Sequence, residues 1–88
     1  MYLDYNYIKE VSIPNHNIQD LIHFLKFCKK NNKQFLINEE ILGIAISYGN
    51  HNIITILNDF IYKNEILIDT ISVIKFFDKT NKNKFSKK

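Results

Sequence analysis

The sequence predicts a mostly all-α fold of short antiparallel helical hairpins, with an N-terminal extended arm able to pair as a strand. Three observations point there. Asn17 stands one residue before a run of apolar side chains at helical spacing, and Asn38 stands before Glu39-Glu40 and a second apolar run from Ile41; at both an asparagine accepts a backbone N–H as an N-cap. Gly49, one of only two glycines, sits where a left-handed residue would close a helix before the next begins. A hydrophobic content of 45% in 88 residues supplies the core of one small domain.

In the N-terminal stretch Leu3, Tyr5, Tyr7, Val11 and Ile13 occupy odd positions, with Asp4, Asn6 and Glu10 between them. This period near two reads as a strand or extended arm, interrupted by Pro14 and the polar Asn15-His16-Asn17. A helix is predicted from Ile18 to about Lys30. Ile18, Leu21, Ile22, Leu25 and Cys28 form its stripe, Phe24 and Phe27 widen it, and Lys26, Lys29 and Lys30 complement its C-terminal dipole. Phe35-Leu36-Ile37 is a connector that must dock.

Glu39 and Glu40 follow the Asn38 cap and open a short helix, apolar almost all round through Ile41, Leu42, Ile44, Ala45 and Ile46. Past Gly49, a wide apolar face of Ile53, Ile54, Ile56, Leu57, Phe60 and Ile61 predicts a helix from about Asn52 to Tyr62. Asn64-Glu65 then starts a further element through Phe77. Its β-branched residues leave a strand open, and its length favours helix.

The domain reading is one helical domain over residues 1–78 and a disordered Lys-rich tail over 79–88. The body carries seven Lys against nine acids, and the last ten residues hold Lys79, Lys82, Lys84, Lys87 and Lys88 with no acid. All twelve basic residues are Lys, which disfavours sequence-specific DNA reading, since bidentate base contacts are mainly arginine's work. The richness in Ile, Asn and Lys has the look of an AT-rich genome.

Asn15-His16-Asn17-Ile18 recurs as Asn50-His51-Asn52-Ile53 at an offset of 35. Similarity at a period in the thirties suggests stacked helical hairpins. The stretch Glu40 to Leu57 resembles one degenerate ankyrin repeat. Leu42 falls on the leucine of that family's Thr-Pro-Leu-His stretch, Ala45 on its first alanine and Gly49 on its turn glycine. Ile53-Ile54 falls on its Val-Val pair and Ile56-Leu57 on its Leu-Leu pair. Glu40-Ile41 replaces Thr-Pro, Gly43 and Asn50 replace histidines, Ile46 replaces the second alanine, and the Gly-Ala and Asp of the β-hairpin finger are missing after Phe60. The resemblance covers one repeat over residues 40–61 and part of a preceding one at Ile18 to Phe27. It implies helix pairing and protein binding.

Among candidate ligands, His16, His23, Cys28 and His51 contain no i, i+4 pair, so packed or exposed histidines and a buried thiol are the expectation, with no metal and no cofactor. Glu39 and Glu40 are adjacent, hence about 100° apart on a helix, and do not form a catalytic pair. Neither a phosphate-binding glycine loop nor a nucleophile elbow is present, and no enzyme activity is expected. One cysteine, no long apolar run and no signal peptide predict a cytoplasmic or nuclear protein, not a secreted one.

The functional expectation is a non-catalytic protein–protein interaction module, binding another protein or itself as a homo-oligomer. Tyr48, His51 and Tyr62 are its candidate partner-contacting side chains, tyrosine being enriched in interfaces. The alternative is a small nucleic-acid-associated protein in which Lys79, Lys82, Lys84, Lys87 and Lys88, with Phe85, engage phosphates and a base.

Overall fold

The computed structural model describes residues 4–85. Tyr2, Leu3, the ring of Phe85, Lys87 and Lys88 therefore lie outside the described residues. The described chain is all-α, without a strand. It comprises α1 (Tyr5–Tyr7) running into a π-helical segment (Ile8–Ser12), α2 (Ile18–Lys30), a 3-10 turn (Gln34–Leu36), α3 (Glu39–Tyr48), α4 (His51–Lys63) and α5 (Thr70–Phe85).

The N-terminal arm is helical, not a strand. Asp4 caps it, its Oδ1 accepting from the Tyr7 N–H at 2.8 Å. The inward face is Ile8, Ser12 and Ile13, all buried at helical spacing, whereas Val11 is 38% exposed. The apparent alternation failed because a serine holds a core position: Ser12 donates its hydroxyl to Asp20 Oδ2 at 3.1 Å, which satisfies it there.

The predicted caps of α2 and α3 are in place. Asn17 Oδ1 accepts from Asp20 N at 3.1 Å and Asn38 Oδ1 from Ile41 N at 3.1 Å. Gly49 is left-handed with φ 69°, and its N–H reaches the carbonyls of Ala45 and Ile46 at 3.0 Å. The segment after α4 differs from expectation. Asn64 closes α4, Glu65 is left-handed with φ 53°, and the next helix starts only at Thr70. That helix then continues to Phe85, so position 79 is no domain boundary and the expected tail is helical across its described part.

The internal repeat lies in the backbone at an offset of 33 instead of 35. N-caps Asn17 and Asn50 open helices of 13 residues each, and Asn31 and Asn64 close them, each side-chain amide donating to the carbonyl four residues back at 2.9 Å. Left-handed residues recur at His16 and Gly49, then at Asn32 and Glu65. The bonds Lys33 N–H to Cys28 carbonyl and Ile66 N–H to Ile61 carbonyl complete two equivalent Schellman closures. The Asn-His-Asn motif misled because its second asparagine caps α2 while its first caps α4.

The two hairpins differ in one respect. From Asp4 to left-handed His16 is twelve residues, and from Asn38 to left-handed Gly49 is eleven. The additional residue is taken up by the π-helical segment, in which the Ile13 N–H bonds back five residues to the Ile8 carbonyl.

Equivalent helices run parallel. Asp69 N–H meets Glu39 Oε2 at 2.9 Å near the start of α3 and α5, and Lys84 Nζ meets the Ser47 carbonyl at 2.8 Å near their ends. His16 and Asn50 join the starts of α2 and α4, and Lys29 and Asn64 their ends. One layer thus holds α1, α3 and α5 and the other α2 and α4. Between them lie Leu21, Phe24, Leu25 and Cys28 of α2, Ile41, Leu42 and Ala45 of α3, and Ile53 and Leu57 of α4.

Candidate functional site

The π-helical segment that continues α1, together with α3 and α5, encloses an open groove of about 590 Å³, the α1–α3–α5 groove. Ile44, Tyr48 and Phe76, each half-buried, form its apolar floor, and Lys9, Glu10, Glu40, Lys79 and Lys84 supply charge around it. Glu40 and Lys84 arrive by helical periodicity. Glu40, Ile44 and Tyr48 are four residues apart on α3, and Phe76, Thr80 and Lys84 repeat that spacing on α5.

Glu40 is the electrostatic centre of the α1 side. Its Oε1 accepts from the Tyr5 hydroxyl at 2.6 Å and its Oε2 from Lys9 Nζ at 3.1 Å, while Lys9 Nζ also lies 4.9 Å from the Tyr5 ring centroid. Burial alone would raise this carboxyl, but the hydrogen bonds from Tyr5 and Lys9 and the charge of Lys9 outweigh it and hold it below the ordinary range. The Tyr5 phenol is pushed well up, first by burial and then by donating to Glu40. Glu40 therefore stays ionised at neutral pH and is suited to holding a cation or a donor. Adjacent Glu39 points elsewhere, to the Asp69 N–H.

On the opposite side Lys84 does not project as a free tail cation. Its Nζ lies 4.3 Å from the Tyr48 ring centroid while donating to the Ser47 carbonyl, so it covers the ring and complements the C-terminal end of α3. The Ser47 hydroxyl donates to Asn81 Oδ1 one turn earlier on α5.

The structure does not unite the three predicted partner residues. Tyr48 lies in the groove, His51 is exposed at the start of α4, and Tyr62 is 83% exposed near its other end. Of the predicted phosphate-binding lysines, Lys79 lines the groove, Lys82 is exposed on α5 and Lys84 is docked on α3. Lys9, Glu40 and Phe76 were missed. Their signal was the i, i+4 spacing on each helix, which became legible only once α1 and α5 were placed beside α3.

The remaining candidates are dispersed. His16 Nδ1 accepts from the Asn50 amide at 2.9 Å, which leaves that amide's oxygen to cap α4. His23 is exposed, and Cys28 is buried, its thiol pushed up to about 11 by that burial against the opposing charge of Lys33. Among the described residues no three His, Cys, Asp or Glu side chains gather as a metal-binding group, and no helix is long and apolar enough to cross a membrane. The chain matches no family model, no curated protein and no solved structure.

Proposed function

We propose that the chain is a non-catalytic protein-interaction module, a small stack of ankyrin-like helical hairpins that binds a partner through the α1–α3–α5 groove. The observation carrying this reading is the combination of an apolar floor, Ile44, Tyr48 and Phe76, with charges of both signs at its margin. Such a surface favours a polypeptide, which offers both apolar and charged side chains, over a uniformly anionic polymer. The spacing of 33 between equivalent caps supports the repeat reading, since it is the period of ankyrin repeats.

The test is affinity capture from native lysate at low and high salt, comparing the full chain with Lys79→Glu and Ile44→Glu variants whose helicity is checked by circular dichroism. The expected result is a protein retained through high salt by the full chain and lost with either variant. Retention of nucleic acid that is released by salt and lost with Lys79→Glu but not with Ile44→Glu would overturn the reading.

A further inference from the structure

We propose that the cleft between α2 and α4, on the other layer, is a second docking surface that seats an acidic amphipathic helix from another protein. The inference rests on the reading of the chain as a protein-interaction module and adds to it a separate site and a partner chemistry.

The cleft encloses about 350 Å³. Its floor is Ile22 and Leu25 from α2 with Ile56 and Phe60 from α4, and because these helices run parallel the floor is a straight apolar trough. A trough between parallel helices accepts the apolar stripe of a third helix, as in helix-in-groove recognition.

Charge decides the partner's chemistry. Lys26, Lys29 and Lys63 stand on the margins, whereas Asp59 is the one acid there and is spent on Lys63 at 3.2 Å. Among the described residues no acid pairs with Lys26, and Lys29 donates only to the neutral Asn64 oxygen at 3.1 Å. Lys30 and Lys33 add further positive charge at the same end of α2. A helix flanking its apolar stripe with Asp or Glu meets this margin favourably, and one flanked by Lys is repelled. A concave trough fits such a helix better than it fits the face of a bilayer.

Selection of displayed random peptides of about four helical turns (~14 residues) on the full chain tests the proposal directly. Enriched sequences should carry apolar residues at i, i+3 or i+4 and i+7 beside Asp or Glu. Their binding should weaken by about tenfold with Lys26→Glu, and their NMR shift perturbations should map to Ile22 and Ile56. Ile56→Glu should abolish binding, and Lys79→Glu, in the other groove, should leave it intact. Enrichment of peptides without acids, no enrichment, or binding to phosphatidylserine vesicles that depends on Lys26 would overturn the proposal. Peptides that instead lose binding with Lys79→Glu would overturn this site alone and leave the α1–α3–α5 reading standing.

Discussion

Gly43 of α3 lies so close to Phe76 of α5 that a Cβ built on the glycine would stand 2.7 Å from the Phe76 Cβ. It would also stand 2.8 Å from the Val73 carbonyl oxygen and 3.0 Å from the Phe77 nitrogen, and these backbone atoms cannot rotate aside. The closeness of the two helices, and with it the width of the groove beside them, depends on the missing side chain.

Gly43→Ala should therefore destabilise the fold. Alanine's helix propensity favours the substitution by ~1 kcal/mol, and overpacking against a backbone opposes it by about 1–3 kcal/mol. The expected balance is a net loss on the order of 1 kcal/mol, seen as a melting temperature lower by about 4–8 °C. An unchanged or higher melting temperature would show that α5 moves freely on α3.

Removal of Val11 should be tolerated. The stretch from Asp4 to His16 already contains one residue more than its counterpart from Asn38 to Gly49, taken up in the π-helical segment, so a deletion there converts it to regular helix without turning the flanking residues. α3 has no such slack, and removing Ile44 from it rotates every later residue of that helix by about 100°. Urea unfolding should place the Val11 deletion within about 1 kcal/mol of the parent, while the Ile44 deletion loses cooperative unfolding.

Truncation after residue 78 should weaken the body instead of trimming an idle tail. It removes Asn81 and Lys84, which bond Ser47, and uncovers the Tyr48 ring. The expected cost is at least about 1 kcal/mol, or roughly 4–8 °C in melting temperature. Equal melting of the two chains would refute the docking of α5 through its last turns.

Glu40 makes stability depend on acid. The folded chain holds the Glu40 proton less tightly than the unfolded chain does, so its stabilisation is complete above the unfolded carboxyl value of about 4.3 and is lost as pH falls through the folded value. Glu40→Gln should cost about 1 kcal/mol at pH 7, and the difference from the parent should shrink toward pH 3. A gap that is the same at both pH values would assign the effect to packing and not to charge.

The legible part of this fold was local. Asn17, Asn38 and Gly49 announce their roles because capping and left-handed closure depend on one residue and its immediate neighbours. The N-terminal arm was illegible because Ser12, a polar residue, fills a core position, and its partner Asp20 becomes known only when α2 is in place. The Lys-rich end misled for a related reason. Composition reports that Lys84 is soluble, whereas its seat on Tyr48 and Ser47 is created by α3, 37 positions away from Lys84 at Ser47. The candidate groove lay beyond composition altogether, since the π-helical segment, α3 and α5 contribute to it jointly.

The spacing of the tertiary bonds bears on how the chain reaches this structure. Among the described residues, the side-chain hydrogen bonds that join different hairpins span between 30 and 37 positions, about one repeat. Each such closure is about one repeat long, and because the described chain is otherwise helical most of its contacts are local, so refolding is expected among the helical domains that complete it in microseconds to milliseconds. α3, bonded to α1 on one side and α5 on the other, is the element whose contacts both neighbours share.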